Sequence, residues 1–302
     1  MSWRAGSSPP ELGASTAPDV PRRGPSPPDW AIHNLLPLGT IVHRLTAAVA
    51  WRATWAHRGH MKTAHIIGVV GGSGGVGASA LTAAIAVRGA RQGLRAVCLD
   101  GDRLGGGLDV TLGIEQEHGV RWPDLAGARG RLDGSELIRQ LPTVDGVSVL
   151  SFDRARDLRL SAEIVQEVLH ALSRAVDLVV VDLPRPDHEV FCALSPSVDS
   201  IVLLAGSGIC DLAGASAIAA HLIPSCPDVW LCLRTGGRGG HFAETVAVAL
   251  DLPLVAILRE EPSLATDVLH GIPPGTSQKG AMGAAADAIL AQSALDAELD
   301  AS

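Results

Sequence analysis

The chain has 302 residues, 47% of them hydrophobic, and a formal net charge of −8 at pH 7. That length suits one large α/β domain with appendages, and the acidic balance gives no whole-molecule attraction to nucleic acid, so no specific nucleic-acid partner is expected. The five cysteines (Cys98, Cys192, Cys210, Cys226, Cys232) form no CxxC pair, which argues against a disulfide framework or zinc site and for buried thiols in a reducing cytoplasm.

Residues 1–60 open the chain as a Pro-, Ser- and Gly-rich segment that predicts disorder over most of its length. Within it, residues 41–57 predict a short helix, with Ile41, Val42, Leu45, Val49, Trp51 and Trp55 set among Arg44 and Arg52. Peripheral contact with a membrane is expected only through this helix or through a partner. The bland alternatives are a helix resting on the main domain, or translated upstream sequence, since Met61 stands just before the first strand. No signal-peptide pattern and no apolar run of membrane-spanning length is present, so a cytoplasmic protein is expected, with recruitment to the septum, a pole or the inner membrane face.

From residue 64 apolar runs alternate with amphipathic stretches. Strands are predicted at 65–70, 96–99, 147–150, 178–181, 200–204, 229–233 and 254–257, and helices at 78–92, 135–140, 162–175, 211–221, 241–250 and 262–269. In the third helix Ile164, Val165, Val168, Leu169 and Leu172 recur at helical spacing and make one core-facing stripe. The strands do not alternate polar and apolar, so both faces are buried and the sheet is largely parallel. The expected fold is α/β, a doubly wound, mostly parallel sheet with helices on both faces and ligands at the strand C-termini. Residues 276–302 predict an acidic, Ala-rich helix or tail, with no basic residue after Lys279 and hence no basic amphipathic anchor.

The richest stretch is Ile66-Ile67-Gly68-Val69-Val70-Gly71-Gly72-Ser73-Gly74-Gly75-Val76-Gly77-Ala78-Ser79. A β-branched strand runs into a glycine-rich turn and then a helix start, an arrangement that aims main-chain N–H groups and a helix dipole at an anion. A standard phosphate loop also places Lys before the Ser/Thr; here that position is Ala78.

The loop resembles the deviant Walker A motif K-G-G-x-G-K-S/T of the ParA/MinD superfamily of P-loop ATPases, with Ser73 and Ala78 in place of both lysines. Val97-Cys98-Leu99-Asp100-Gly101-Asp102 resembles the second strand and switch I, and Asp177 through Arg185 the Walker B strand. Gly119-Val120-Arg121-Trp122-Pro123 and Asp182-Leu183-Pro184-Arg185 are similar to pieces of the CpaE-like branch, and within it of actinobacterial septum site-determining proteins. The resemblance spans roughly residues 61–275 and implies that Ser73, Gly74, Gly75, Val76, Gly77, Ala78, Ser79 and Ala80 bind ATP or ADP. It makes Ser79 and Asp182 the Mg²⁺ residues and Asp102 the catalytic acid that positions water. It also implies a nucleotide-dependent homodimer and protein partners from the division or pilus and secretion machinery. Loss of both lysines predicts weak or absent hydrolysis. Leu233 stands where relatives often carry an adenine-reading Asn, which puts base specificity in doubt.

Three other readings compete. A pseudo-ATPase scaffold would keep the fold and bind only proteins. Gly72, Gly74 and Gly77 spell G-x-G-x-x-G with Asp100 downstream, as in an NAD(P)-dependent oxidoreductase. Gly71, Ser73 and Gly75 spell the G-x-S-x-G of hydrolases, with His241 and His270 available but only one strand before the motif.

Overall fold

The computed structural model describes residues 64–299, apart from 129, 157–159, 225, 227 and 238. The N-terminal segment 1–60, its expected helix and Met61 therefore lie outside the described residues.

In chain order, β1 (His65–Gly71) leads through the glycine loop into α1 (Ala78–Arg91), then β2 (Ala96–Asp100). Three short helices follow: α2 (Leu108–Thr111), α3 (Trp122–Leu125) and α4 (Gly134–Gln140). The hairpin β3 (Thr143–Val144) and β4 (Val147–Leu150) precedes α5 (Ala162–Ser173), β5 (Leu178–Asp182) and α6 (Glu189–Leu194). The second half runs β6 (Ser200–Ala205), α7 (Ile209–Leu222), β7 (Val229–Thr235), α8 (Gly240–Leu250), β8 (Leu254–Arg259), α9 (Leu264–Leu269) and α10 (Ala281–Leu299).

The seven predicted strands and the helices predicted between residues 78 and 269 are all present. Unpredicted are β3, α2, α3 and α6, which at two to six residues are too short to show a period. Local chemistry sets the helix starts. Asp133 accepts from the N–H groups of Ser135 and Glu136 at α4, and Ser161 accepts from Ile164 at α5. In contrast α1 begins after Gly77, which makes no side-chain cap.

The strands form one eight-stranded sheet in the order β3-β4-β2-β5-β1-β6-β7-β8, and every pairing except β3 with β4 is parallel. β5 lies between β1 and β2, placing Val69 and Asp100 both in register with Asp182. A dinucleotide-binding sheet of order 3-2-1-4-5-6 would set β1 directly beside β2; here the inserted strand brings a carboxylate to the glycine loop.

Alternate side chains of the strands feed two cores. Ile66, Val70, Val97, Leu99, Val179 and Val181 pack under α3 to α8. Ile67, Val69, Cys98 and Val180 pack under α1, α2 and α10. Leu81 and Ile85 of α1 are fully buried there, each worth about 1.5–3 kcal/mol relative to exposure. The C-terminal helix belongs to this second core: Met282, Ala286, Ile289 and Leu290 are buried. Arg88 of α1 donates to both carboxylate oxygens of Asp287, at 2.8 and 2.5 Å. Among the described residues no helix is long and apolar enough to cross a membrane.

All five cysteines are free. Cys98, Cys226 and Cys232 are buried as expected, whereas Cys192 and Cys210 are exposed.

Candidate functional site

At the C-terminal edge of the central strands lies a cavity of about 400 Å³. Ser73, Gly74, Gly75, Val76, Gly77, Ala78, Ser79 and Ala80 line one side of it. Asp102, Gly105, Gly106 and Thr111 line a second side, and Asp182, Leu183, Pro184 and Arg185 a third. The residues to which the resemblance gives nucleotide, Mg²⁺ or water-positioning roles therefore line one cavity.

The glycine side is shaped by backbone. Gly75 has φ of +73° and Gly77 +105°, both in the left-handed region that side chains disfavour. A Cβ at either would meet nothing within 4 Å, so conformation rather than crowding calls for glycine there. Gly72 is different: a Cβ there would lie 2.8 Å from Cβ of Ala215, so glycine lets the loop rest on α7.

Two side chains hold the loop from behind. The Ser73 hydroxyl donates to Asp211 of α7 at 2.6 Å, and Arg234 at the end of β7 donates to the Val76 carbonyl at 3.1 Å. Both lie along a second recess of about 180 Å³ on the far side of the loop, which Glu260 also lines. Among the described residues, no backbone acceptor meets the N–H groups of Gly74, Gly75 or Gly77. The first turn of α1 adds further open N–H groups, because Gly77 offers no cap. Such a cluster, at a positive helix end, is suited to phosphate oxygens.

The facing side is built from carboxylates. Asp182 is 4% exposed and lies beside the Ser79 hydroxyl. Burial pushes its pKa up to about 7, the Ser79 hydroxyl opposes this, and the charge of Asp102 adds to it. Asp100, 1% exposed, is raised well above the usual carboxylate range by burial and then by Asp182 beside it. Its role in the geometry is structural: its oxygens accept from the N–H of Asp102 at 3.1 Å and of Leu108 at 3.1 Å, closing the loop that carries Asp102. The indole of Trp122 donates to the Asp100 carbonyl at 2.7 Å. Arg154 clamps the same loop through Asp109, at 2.7 and 3.1 Å, and the Gly106 carbonyl at 2.9 Å.

This arrangement can take a polyphosphate on its amide side and a hard cation on its oxygen side. Among the described residues no three His, Cys, Asp or Glu side chains converge into a metal cage. Mg²⁺ is ordinarily bound through one or two carboxylates with water and substrate phosphates, which fits Asp182 and the Ser79 hydroxyl. The hydrolase geometry finds no support: Ser73 pairs with Asp211, and neither His241 nor His270 lines the cavity.

Sequence reasoning passed over Thr111 and Asp211, and did not give Arg185 a place in the cavity. Asp211 is joined to Ser73 across 138 positions, which no local pattern reveals. Arg185 was legible only as the end of Asp182-Leu183-Pro184-Arg185, and its nearness to the loop depends on β5 lying beside β1. Arg238, in the sequence Gly236-Gly237-Arg238-Gly239-Gly240, lies outside the described residues.

No protein-family model matches the chain. An uncharacterized protein of Mycobacterium tuberculosis is 37% identical over 206 residues, which are 68% of this chain and 57% of that protein. The chain thus spans just over half the length of that relative. An uncharacterized ATP-binding protein of Methanocaldococcus jannaschii is 25% identical over 215 residues, covering 68% of this chain and 78% of that one.

Three solved structures share the architecture. A ParA family ATPase from Chlorobium tepidum is 16% identical with a TM-score of 0.64, covering 77% of this chain and 98% of that one. The cell division ATPase MinD of Pyrococcus furiosus is 24% identical with a TM-score of 0.64, covering 77% and 99%. MinD of Pyrococcus horikoshii, a septum site-determining protein solved with Mg-ADP, is 23% identical with a TM-score of 0.62, covering 76% and 95%. The strand order, the glycine loop and these likenesses together give the chain the fold of the ParA/MinD P-loop ATPases.

Proposed function

We propose that this chain is a nucleotide-binding localisation protein of ParA/MinD type, from the CpaE-like branch, that helps position a septum or a pilus and secretion assembly. One observation carries the reading: a run of open main-chain N–H groups at the head of α1 faces the Ser79–Asp182 pair across a single cavity. Backbone donors do not depend on side-chain identity, so the cradle remains a phosphate site although Ser73 and Ala78 stand where lysines are usual. The ATP-binding relative and the Mg-ADP complex of a MinD support ATP or ADP with Mg²⁺ as the ligand.

In this reading the N–H groups from Gly74 to Ala80 hold the phosphates, and Ser79 and Asp182 hold Mg²⁺. Asp102 is the residue for orienting a water. Bound Mg²⁺ would neutralise phosphate charge. With both lysines replaced, transition-state charge is poorly met and turnover is weak or absent. The output is then binding: a nucleotide-dependent homodimer that engages division or secretion proteins. The solved complex of MinC with MinD from Aquifex aeolicus offers a precedent for a protein partner.

A second reading, a protein-binding scaffold that never takes nucleotide, is favoured by the double loss of lysine alone. Calorimetric titration of ATP, ADP and NAD⁺, each with Mg²⁺, into the full chain separates the two, with Ser79→Arg as the variant that fills the cavity. ATP or ADP binding that Ser79→Arg abolishes is the expected result. Failure of wild type to bind any nucleotide makes the scaffold reading primary, and binding of NAD⁺ alone overturns the ParA/MinD assignment.

A further inference from the structure

The cavity lacks a lysine on its glycine side, yet it does not lack a cation. Among the described residues that line it, Arg185 is the single Lys or Arg. Other guanidiniums at this edge are engaged: Arg154 with Asp109 and Gly106, Arg156 with Asp124 and Asp153, and Arg234 with the Val76 carbonyl. Arg103 has partners of its own. The Arg185 side chain is exposed, and among the described residues it makes no hydrogen bond or ion pair.

Its stem is fixed. Pro184 is buried, and it packs against Gly101, where an added Cβ would come within 3.2 Å of the proline ring and 2.7 Å of the Asp182 carbonyl. Arg185 thus follows a packed proline in the loop just after β5, lining a cavity that also holds Asp102 and Asp182, neither of which its guanidinium pairs with.

We propose that Arg185 is the phosphate-binding cation of this site, supplying from the end of β5 the charge that a lysine at position 78 or 73 would otherwise supply. The inference rests on the nucleotide reading above and adds to its backbone cradle one named side chain. Main-chain N–H groups orient a polyphosphate but leave its charge unneutralised; a guanidinium fork adds charge and two parallel donors in the plane that phosphate oxygens present. The ligand class follows: a nucleoside di- or triphosphate, recognised through its phosphates rather than its base.

The test compares wild type, Arg185→Ala, Arg185→Lys and Ser79→Arg as full chains, with thermal melting to establish that each is folded. Mg-ATP and inorganic triphosphate with Mg²⁺ are titrated at low and high salt. Arg185→Ala should weaken both ligands by the same factor, about tenfold or more, as for loss of a charge-assisted hydrogen bond. It should also flatten the salt dependence, and Arg185→Lys should recover most of the loss. Equal ATP affinity in wild type and Arg185→Ala overturns the proposal while leaving the nucleotide reading intact. Weaker ATP with unchanged triphosphate also overturns it, since Arg185 would then act on the nucleoside. If wild type binds neither ligand, the nucleotide reading and this proposal fall together.

Discussion

The glycine side of the cavity presents main-chain N–H groups and little side-chain chemistry, whereas the facing side presents carboxylates and a guanidinium carried on strand ends. The first side owes its form to two left-handed glycines and to anchors behind the loop, Asp211 and Arg234. The second owes its form to buried polar pairings around Asp100. The contrast explains why the form of the glycine loop does not depend on a lysine at position 73 or 78. Side chains pointing away from a backbone scaffold are replaceable, while a wall made of side chains is sensitive at each position.

The facing side should break most severely at Trp122, which is fully buried. Trp122→Ala removes the indole packed 6.1 Å from Phe152 and leaves the Asp100 carbonyl without its donor. A loss of about 3–5 kcal/mol is expected from the denaturant midpoint.

Next in size is Asp182→Asn, with the opposite sign. The Asp182 pKa is raised from 3.8 to about 7 by burial, so between those values the folded state holds a proton that the unfolded chain releases. That contribution to stability is complete below the unfolded value and is lost as pH rises through the folded one. Asparagine cannot ionise. Melting temperatures of variant and wild type should therefore coincide near pH 4 and separate above pH 7, the variant being more stable by about 2–4 kcal/mol.

On the glycine side effects should be smaller. Gly77→Ala meets no neighbouring atom but forces a methyl onto a residue at φ +105°, so a loss of about 1–2 kcal/mol measures the conformation alone. Ser73→Ala removes the bond to Asp211, and about 0.5–1.5 kcal/mol of stability should go with it. Should Ser73→Ala prove the more damaging of the two, the loop would be held from behind rather than by its own dihedrals.

Sequence carried the strand, loop and helix at 65–91 because β-branched runs, glycines and an amphipathic stretch are all local signals. It carried Asp182 because a carboxylate ending an apolar strand is conspicuous. The meeting of Asp182 with Ser79 depended on strand order, and nothing within 65–91 states that β5 is the neighbour of β1. The short helices α2 and α3 escaped for want of length, and with them the bracing of the acidic side. The Gly119–Pro123 piece was noticed through resemblance alone; its physical reason is the Trp122 bond to Asp100. Arg185 and Asp211 owe their positions to pairings and packing between distant parts of the chain, which is why neither stood out.

The central place of β1 also bears on how the chain reaches its fold. Its partners on either side, β5 and β6, are synthesised long after it: Gly68 waits for both Val181 and Ile201. At about 5–20 residues per second this leaves an apolar strand without its sheet for on the order of ten seconds on a translating ribosome. Such non-local parallel pairing slows folding and prolongs exposure to aggregation. The helix α1 can form early, but the sheet edge that gives its N-terminus a function closes only when the second half of the domain has emerged.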